Sequence, residues 1–520
     1  MADNNTQGMK ESSTTATNLS RRKLMIGAAV LSIGTKTGMS PVGASSEGND
    51  SWCAPSDNPN HEMWPHPTNP YEASVAREQY EHSLQRKSKK VCSAIFIQGR
   101  DPDEYIQNDQ IGYREPYFEW DDIEIDIDHD EQLVTVWADG APPKRAKFHD
   151  GLGSTMLPDG AKDVLYDPVE ITPNLPSPDS IEWPLGNRNA TADPAEIDRN
   201  AMEEVLSWAF DTNIDESESE YPDTRGIVVI YDGQIVAERY AEPFDKDTVW
   251  KCWSMGKSTV GTLFGILHSR GHLNKCDPAP VPEWYRREND PRQKVTNADL
   301  LQMAGGIRNN HSDQEDTIHM TKNDDHQRGY IAPIDIAEFS ANQALEYEPG
   351  TEWEYRNVNP YLIGKIVRAT VEEVGEEHLT FPQRALYDKI GARNVIHETD
   401  PYGNFLFPGF NYLTPRDWAR YGLLHLREGT LAGNEVFSPE WIDILTTPAP
   451  AAEENDYGTG FMYLNNGNVE QIPDDAYWAS GAQSNRCYII PSEDVTIVRM
   501  GRESEYDLHD LAGRILDAIN

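Results

Sequence analysis

The sequence predicts an α+β fold: one sheet with helices packed on it, a helical domain inserted between its strand pairs, and a β-rich extension in front. Three observations carry this. The apolar runs 227–231 and 234–237 flank Asp232-Gly233, a dipeptide that suits a tight hairpin because both residues tolerate positive φ. A second strand pair, 488–490 and 495–498, stands near the other end of the chain, and the amphipathic stretch 508–519 closes it as a helix. Between the two pairs, residues 275–445 read as mostly helical with polar loops.

The elements follow in order. Residues 1–44 read as a twin-arginine export signal: Ser20-Arg21-Arg22-Lys23-Leu24-Met25 leads into the apolar run 24–34, and Val42-Gly43-Ala44 supplies the small residues of a cleavage site. The run is short for a transmembrane helix, so the mature chain is expected to lack a stable membrane span and to be extracellular or in the cell envelope. Residues 45–90 read as a flexible leader, within which 71–90 can form a polar helix. Residues 91–190 read as a β-rich extension of short strands and turns. Ala94-Ile95-Phe96-Ile97 reads as one strand. Ile123-Glu124-Ile125-Asp126-Ile127 alternates cleanly and turns through Asp128-His129-Asp130 into Leu133-Val134-Thr135-Val136. Asp126, Asp128 and Asp130 mimic a calcium loop, but Glu131 stands where that loop needs Gly and Trp137 where it needs Glu, so an exposed hairpin is expected. A proline-containing connector, 174–189, leads to a domain over 195–520. It opens on a helix with the apolar stripe Ile197, Met202, Val205, Leu206 and Phe210.

Charge is the outlier of the composition. The 520 residues carry 87 acidic against 45 basic side chains, a net charge of −42, with the acids spread along the chain. No basic nucleic-acid footprint exists, so no nucleic-acid partner is expected. Recurrent aromatic and aliphatic runs argue for a fold over disorder, and the acidity reads as a halophile surface that keeps the protein soluble at high salt. The cysteines are Cys53, Cys92, Cys252, Cys276 and Cys487, with no C-x-x-C and no Cys/His cluster of zinc spacing. Cys252 is expected to be buried packing, and one disulfide of unknown pairing is compatible with the sequence. No metal and no cofactor are called for.

Chemistry enters at Trp253-Ser254-Met255-Gly256-Lys257-Ser258, where the first strand pair runs into an apolar helix with Val260, Leu263, Phe264 and Leu267 on its buried face. Positions i and i+3 share a helix face, so the Lys257 amine can meet the Ser254 hydroxyl. A serine hydroxyl needs a neighbouring base to attack, and a lysine held neutral by burial can be that base. The bland alternative is an N-cap serine with an exposed helix lysine. Gly256-Lys257-Ser258 also imitates a phosphate-binding loop, but Lys251 stands where that loop needs glycine. Ser20-Arg21-Arg22-Lys23 and Lys36-Thr37-Gly38 match short hydrolase motifs inside the export segment and are decoys.

Two further stretches complete a pattern: Glu354-Tyr355-Arg356-Asn357 after Pro349-Gly350, and Ala479-Ser480-Gly481-Ala482 before the last strand pair. With S-x-x-K they make the chain resemble the serine β-lactamase-like hydrolases, which include class C β-lactamases, DD-peptidases, related esterases and the nylon-oligomer (6-aminohexanoate-dimer) hydrolases. The resemblance covers roughly 195–520, and 92–186 is more weakly similar to the N-terminal extension of the nylon-oligomer-hydrolase branch. It implies a β-lactamase/transpeptidase-like antiparallel sheet flanked by helices. By the same resemblance, Ser254 is the nucleophile that forms an acyl-enzyme. Lys257 and Tyr355 share the proton work, Tyr355 as a phenolate if Lys257 lowers its pKa. Asn357 hydrogen-bonds Lys257 or the substrate, and the N–H groups of Ser254 and Ala482 form the oxyanion hole. Trp478, Ser480 and Gly481 border the substrate. Tyr355 as a core tyrosine and Asn357 as a helix cap are the bland alternatives. Ala479 departs from the family, which places Lys or His there to help bind a substrate carboxylate; Arg486 is a candidate replacement. The implied reading is an exported serine hydrolase of a small ester or amide. Its alternatives are a D-alanyl carboxypeptidase or β-lactamase, and a non-catalytic ligand-binding protein on the same fold.

Overall fold

A computed structural model describes residues 75–109, 120–139, 141–211, 219–309 and 325–520. The twin-arginine motif, the cleavage site and most of the leader lie outside these residues.

A six-stranded antiparallel sheet organises the domain. Its spatial order is Tyr463–Leu464, Tyr477–Gly481, Asn485–Ile490, Val495–Gly501, Thr224–Tyr231, Gln234–Tyr240. The hairpin expected at Asp232-Gly233 is there, with φ of 48° and 75° at its two turn residues. The second strand pair is longer than its sequence signal: a third strand, Tyr477–Gly481, joins it through the turn 482–484. The long connection between the halves brings two strands of the sheet's beginning beside strands near the end of the chain, pairing Val495 with Tyr231.

One face of the sheet carries the helices Arg199–Asp211 and Leu508–Ile519, which pack on each other. Met202, Leu206 and Phe210 of the predicted stripe are buried there, as are Leu511, Ile515 and Ile519. On the other face lie Met255–Ser269 and Pro415–Leu426. The first of these is buried on every side from Met255 to Leu267, its polar Lys257, Ser258, Thr259 and Thr262 included, so it runs through the core rather than over the surface. The inserted region packs Val358–Glu373 against it.

The extension folds as a four-stranded antiparallel meander, Ile123–Asp128, Leu133–Ala138, Lys144–His149 and Gly153–Met156. Its first turn is the exposed hairpin expected for the aspartate run: the Asp128 carboxylate accepts from the N–H groups of Asp130 and Glu131, both at 3.0 Å. One expectation fails here. Ala94-Ile95-Phe96 is not a strand but the last turn of a helix, Val75–Phe96, which crosses the meander and runs past the expected leader boundary at 90. Four apolar residues cannot distinguish a strand from a buried helix end. Tertiary contacts decide: Leu84, Val91 and Cys92 pack on Val134, Val136 and Phe148 of the meander. On the same helix, Lys89 forms a fully buried ion pair with Glu398 of the C-terminal domain at 2.6 Å, and the Ser93 hydroxyl donates to the same carboxylate at 2.5 Å. Removing either charge would strand the other, at a cost of about 3–5 kcal/mol.

Candidate active site

The strand Trp250–Lys251 delivers the chain to a tight turn in which Trp253 takes a φ of 51°. That conformation costs a bulky residue on the order of 1–3 kcal/mol, and two hydrogen bonds hold it. The indole Nε1 donates to Gln483 Oε1 at 2.7 Å, and the Asn411 amide donates to the Trp253 carbonyl at 2.9 Å. Ser254 then enters the helix with helical dihedrals (φ −67°, ψ −10°), and its hydroxyl caps nothing.

The hydroxyl instead meets Lys257. Nζ and Oγ are 2.7 Å apart, and the amine donates its other hydrogen bond to the Pro408 carbonyl at 3.2 Å. Lys257 is 1% exposed, which removes the alternative of a solvated helix lysine. No carboxylate pairs with it among the described residues, and burial pushes the amine well below the usual lysine range. A neutral amine offers one lone pair. The hydroxyl beside that amine is Ser254 Oγ, which itself donates to the Pro408 carbonyl at 3.4 Å.

Tyr355 completes the cluster, with the Lys257 amine 4.6 Å from its ring centroid. The phenolate expected from the sequence is not supported. Burial, reinforced by Tyr463, pushes the phenol well above its ordinary range, and Ser254 and Arg486 only oppose that shift. The sequence argument assumed a charged lysine beside the hydroxyl. Burial disfavours the charge on that lysine and so weakens the cation that argument relied on.

Of the partners expected for Asn357, Lys257 is not one. The Asn357 side chain makes no hydrogen bond to Lys257, whose second partner is Pro408, and it does not cap the helix Val358–Glu373 that it precedes. Both polar atoms of its buried side chain lack a partner, which is an unusual state for a buried amide.

The strand Tyr477–Gly481 borders the Cys252–Ser254 segment at its last residues. A Cβ on Gly481 would lie 2.3 Å from the Cys252 carbonyl, so only glycine lets the strand come this close to the Cys252–Ser254 segment. Gly256 does the same on the other side, where a Cβ would lie 2.3 Å from the Phe407 carbonyl. The short edge strand pairs only with Tyr477 and Trp478, leaving Ala479 to Gly481 unpaired on that side. Ser480 is half-buried there. Trp478 is corrected: its ring is buried, stacked on Tyr463 at 6.0 Å and edge-on to His509 at 5.0 Å, so it belongs to the packing beneath the site. Arg486 stands directly across from Ser480 on the neighbouring strand. It donates to the carbonyls of Gly481 and Asn485 at 3.2 and 2.9 Å and has no carboxylate partner among the described residues.

The turn 482–484 is fixed by the buried Arg499, which donates to the Gln483 carbonyl at 2.9 Å, and by the Asn485 amide, which donates to the Ala482 carbonyl at 2.8 Å. Among the described residues, the backbone N–H groups of Ser254 and Ala482 donate to no protein acceptor. Cys252, two residues from Ser254, is fully buried, and its thiol is pushed up to about 12 by burial. Among the described residues no group of three or more His, Cys, Asp or Glu side chains could hold a metal ion, and no helix is long and apolar enough to cross a membrane.

Pro408, Asn411 and Tyr330 were not foreseen. Pro408 acts through its carbonyl, which accepts from Lys257 and, at 3.2 Å, from the Tyr330 hydroxyl. A backbone acceptor leaves no trace in residue type, and Pro408-Gly409 reads from sequence only as a turn.

The fold and this cluster place the chain in a known class. The beta-lactamase family model matches residues 214–518, and the chain belongs to that family. It is 22% identical over 337 residues to an uncharacterized protein of Alkalihalophilus pseudofirmus, spanning 57% of this chain and 90% of that one. Among solved structures it is similar to a protein of Bacillus anthracis provisionally named a 6-aminohexanoate-dimer hydrolase. That match has a TM-score of 0.52 and 18% identity, over 67% of this chain and 90% of the other. A family VIII carboxylesterase aligns with a TM-score of 0.48 and 15% identity, over 63% and 97% of the two chains.

Proposed function

We propose that the protein is a serine hydrolase that cleaves a small ester or amide through an acyl-enzyme on Ser254. The observation that carries this reading is the 2.7 Å contact between Ser254 and a buried lysine with no carboxylate partner. Lys257 takes the Ser254 proton as Oγ attacks the carbonyl carbon. The N–H groups of Ser254 and Ala482 receive the developing oxyanion. Tyr355, held protonated, gives its proton to the leaving group and regains one from Lys257, so the serine proton ends on the departing alcohol or amine. Water then enters, loses its proton by the reverse path, and releases the acid. Asn357 and Ser480 offer hydrogen bonds to the substrate, and the orphaned amide of Asn357 gains a partner when substrate is bound. No step needs a metal or a cofactor.

Substrate preference follows from Ala479. A β-lactam carries a carboxylate, and alanine on this strand offers neither charge nor donor. Losing one charge-assisted hydrogen bond costs roughly 1.5–3 kcal/mol, about one to two decades in rate when felt in the transition state. Short acyl esters carry no such group. A preparation assayed at high salt is expected to turn over p-nitrophenyl butyrate faster than a chromogenic cephalosporin. Faster turnover of the cephalosporin would overturn this preference and point to Arg486, or another cation, as the carboxylate anchor.

Export and salt dependence belong to the same proposal. Replacing Arg21 and Arg22 by lysine is expected to stop secretion in a host with twin-arginine export, and unchanged secretion would remove that assignment. With a net charge of −42, folding is expected to require molar salt to screen carboxylate repulsion. Full stability in dilute buffer would refute the halophile reading.

A further inference from the structure

The Pro408 carbonyl sits at the centre of the proposed machinery. It accepts from Lys257 at 3.2 Å and from the hydroxyls of Ser254 and Tyr330 at 3.4 and 3.2 Å. A main-chain carbonyl is aimed by the turn that carries it, so the supports of that turn matter.

The turn spans 406–410. The N–H groups of Gly409 and Phe410 both donate to the Leu406 carbonyl, at 3.1 and 3.0 Å. Glu398 closes it at both ends: its N–H donates to the Phe410 carbonyl at 2.9 Å, and its own carbonyl accepts from the Leu406 N–H at 2.8 Å. From the other side, the Asn411 amide donates to the Phe407 carbonyl at 3.0 Å and to the Trp253 carbonyl at 2.9 Å.

The Glu398 side chain is tied to a different part of the chain, the helix Val75–Phe96. Lys89 pairs with its carboxylate at 2.6 Å, and the Ser93 hydroxyl donates to it at 2.5 Å. The Lys89 amine also donates to the Ser154 carbonyl of the meander, and it lies 4.6 Å from the centroid of the Phe410 ring, at the end of the turn. Lys89, Ser93 and Glu398 are all buried, so salt does not screen these bonds as it would on the surface. Apolar side chains of similar volume could fill the same space at no loss of stability. What they could not supply is a fixed direction.

We propose that Glu398 is a positioning residue for the reaction: Lys89 and Ser93 hold its carboxylate, and its main chain thereby sets the Pro408 carbonyl against Lys257. This rests on the hydrolase reading. It gives the N-terminal helix a part in the chemistry, exerted from outside the cluster of Ser254, Lys257 and Tyr355.

The test uses the full-length protein with Lys89→Met and Glu398→Leu together. Both charges go at once, so neither is stranded, and the Ser93 hydroxyl keeps the Lys89 carbonyl as an acceptor at 2.8 Å. Fluorophosphonate labelling of Ser254 yields a rate constant at saturating probe, a half-saturation concentration and a labelled fraction. The rate constant is expected to fall about 10- to 100-fold, the effect of a small misplacement, with half-saturation and labelled fraction unchanged. Lost stability alone would lower the labelled fraction instead. Hydrogen exchange needs no reaction. The Glu398 and Leu406 amides should exchange about tenfold faster or more, while the interior strand Val495–Gly501 stays protected. An unchanged rate constant, or unchanged exchange at those two amides, would overturn the proposal. If the paired variant does not fold, Ser93→Ala decides, since it removes one tie and no charge; labelling and exchange as in the unaltered protein then refute the positioning role. Absence of any label on Ser254 in the unaltered protein sinks the hydrolase reading instead, and exchange alone then decides whether the N-terminal helix holds the turn.

Discussion

Ser254→Ala is expected to lower kcat/KM toward an acyl ester by at least about 10⁴-fold while leaving the fold unchanged. Both halves follow from the structure. The hydroxyl is the group that meets the buried Lys257 amine at 2.7 Å, and nothing else near it can replace it. Cys252 is buried with its thiol held protonated by burial, and Ser258 spends its hydroxyl on the Phe461 carbonyl at 3.0 Å. The fold is indifferent because Ser254 caps no helix N–H. Losing a cap would have cost about 1 kcal/mol, and that cost is absent here. The check is steady-state kinetics beside a thermal melt of the same preparation. Near-full activity in the alanine variant would contradict the mechanism.

The second large effect concerns Lys257 and Tyr355. Each single change, Lys257→Ala and Tyr355→Phe, is expected to reduce acylation about 10²- to 10⁴-fold, the range of a lost general acid or base. The double variant should fall little further than the worse single one, because the two groups pass one proton and fail as a unit. Simple additivity of the two losses would count against a shared role. The pH profile gives an independent reading. Burial lowers the Lys257 pKa, so the neutral, proton-accepting form prevails above that lowered value and is lost as pH falls through it. The ascending limb of kcat/KM therefore lies well below the free-lysine value of about 10.4. Tyr355 must stay protonated, and its raised value moves the descending limb above about 10. A plateau confined near the ordinary tyrosine range would restore the phenolate.

Much of this site was legible because its chemistry is local or its residue types are rare in combination. Ser254 and Lys257 lie one turn apart, and helix geometry alone brings them together once the helix is recognised. Asp232-Gly233 fixed its hairpin for the same reason: two residues with a backbone preference sufficed. Gly481 was read as a border of the substrate, and its structural role, letting the strand approach Cys252, needs the third dimension. What the sequence misjudged are properties of the environment. The protonation state of Tyr355 depends first on its burial, which has no sequence signature. Trp478 lies one residue from Ala479 in the motif, and the stacked ring of Tyr463 and the edge-on ring of His509 turn it into packing. The helix Val75–Phe96 was half seen. Its last turn carries a β-like apolar run, and the deciding contacts come from residues some 40 to 300 positions away, such as Val134 and Glu398.

The central claim is covalent: Ser254 carries the acyl group. The most direct test incubates the purified protein with a fluorophosphonate or a slow acyl ester, digests it, and maps the adduct by mass spectrometry. The account predicts one added group, on the peptide containing Ser254, absent in Ser254→Ala and slowed in Lys257→Ala. Ester turnover with no adduct on Ser254, or an adduct on a different residue that survives the alanine substitution, would contradict it.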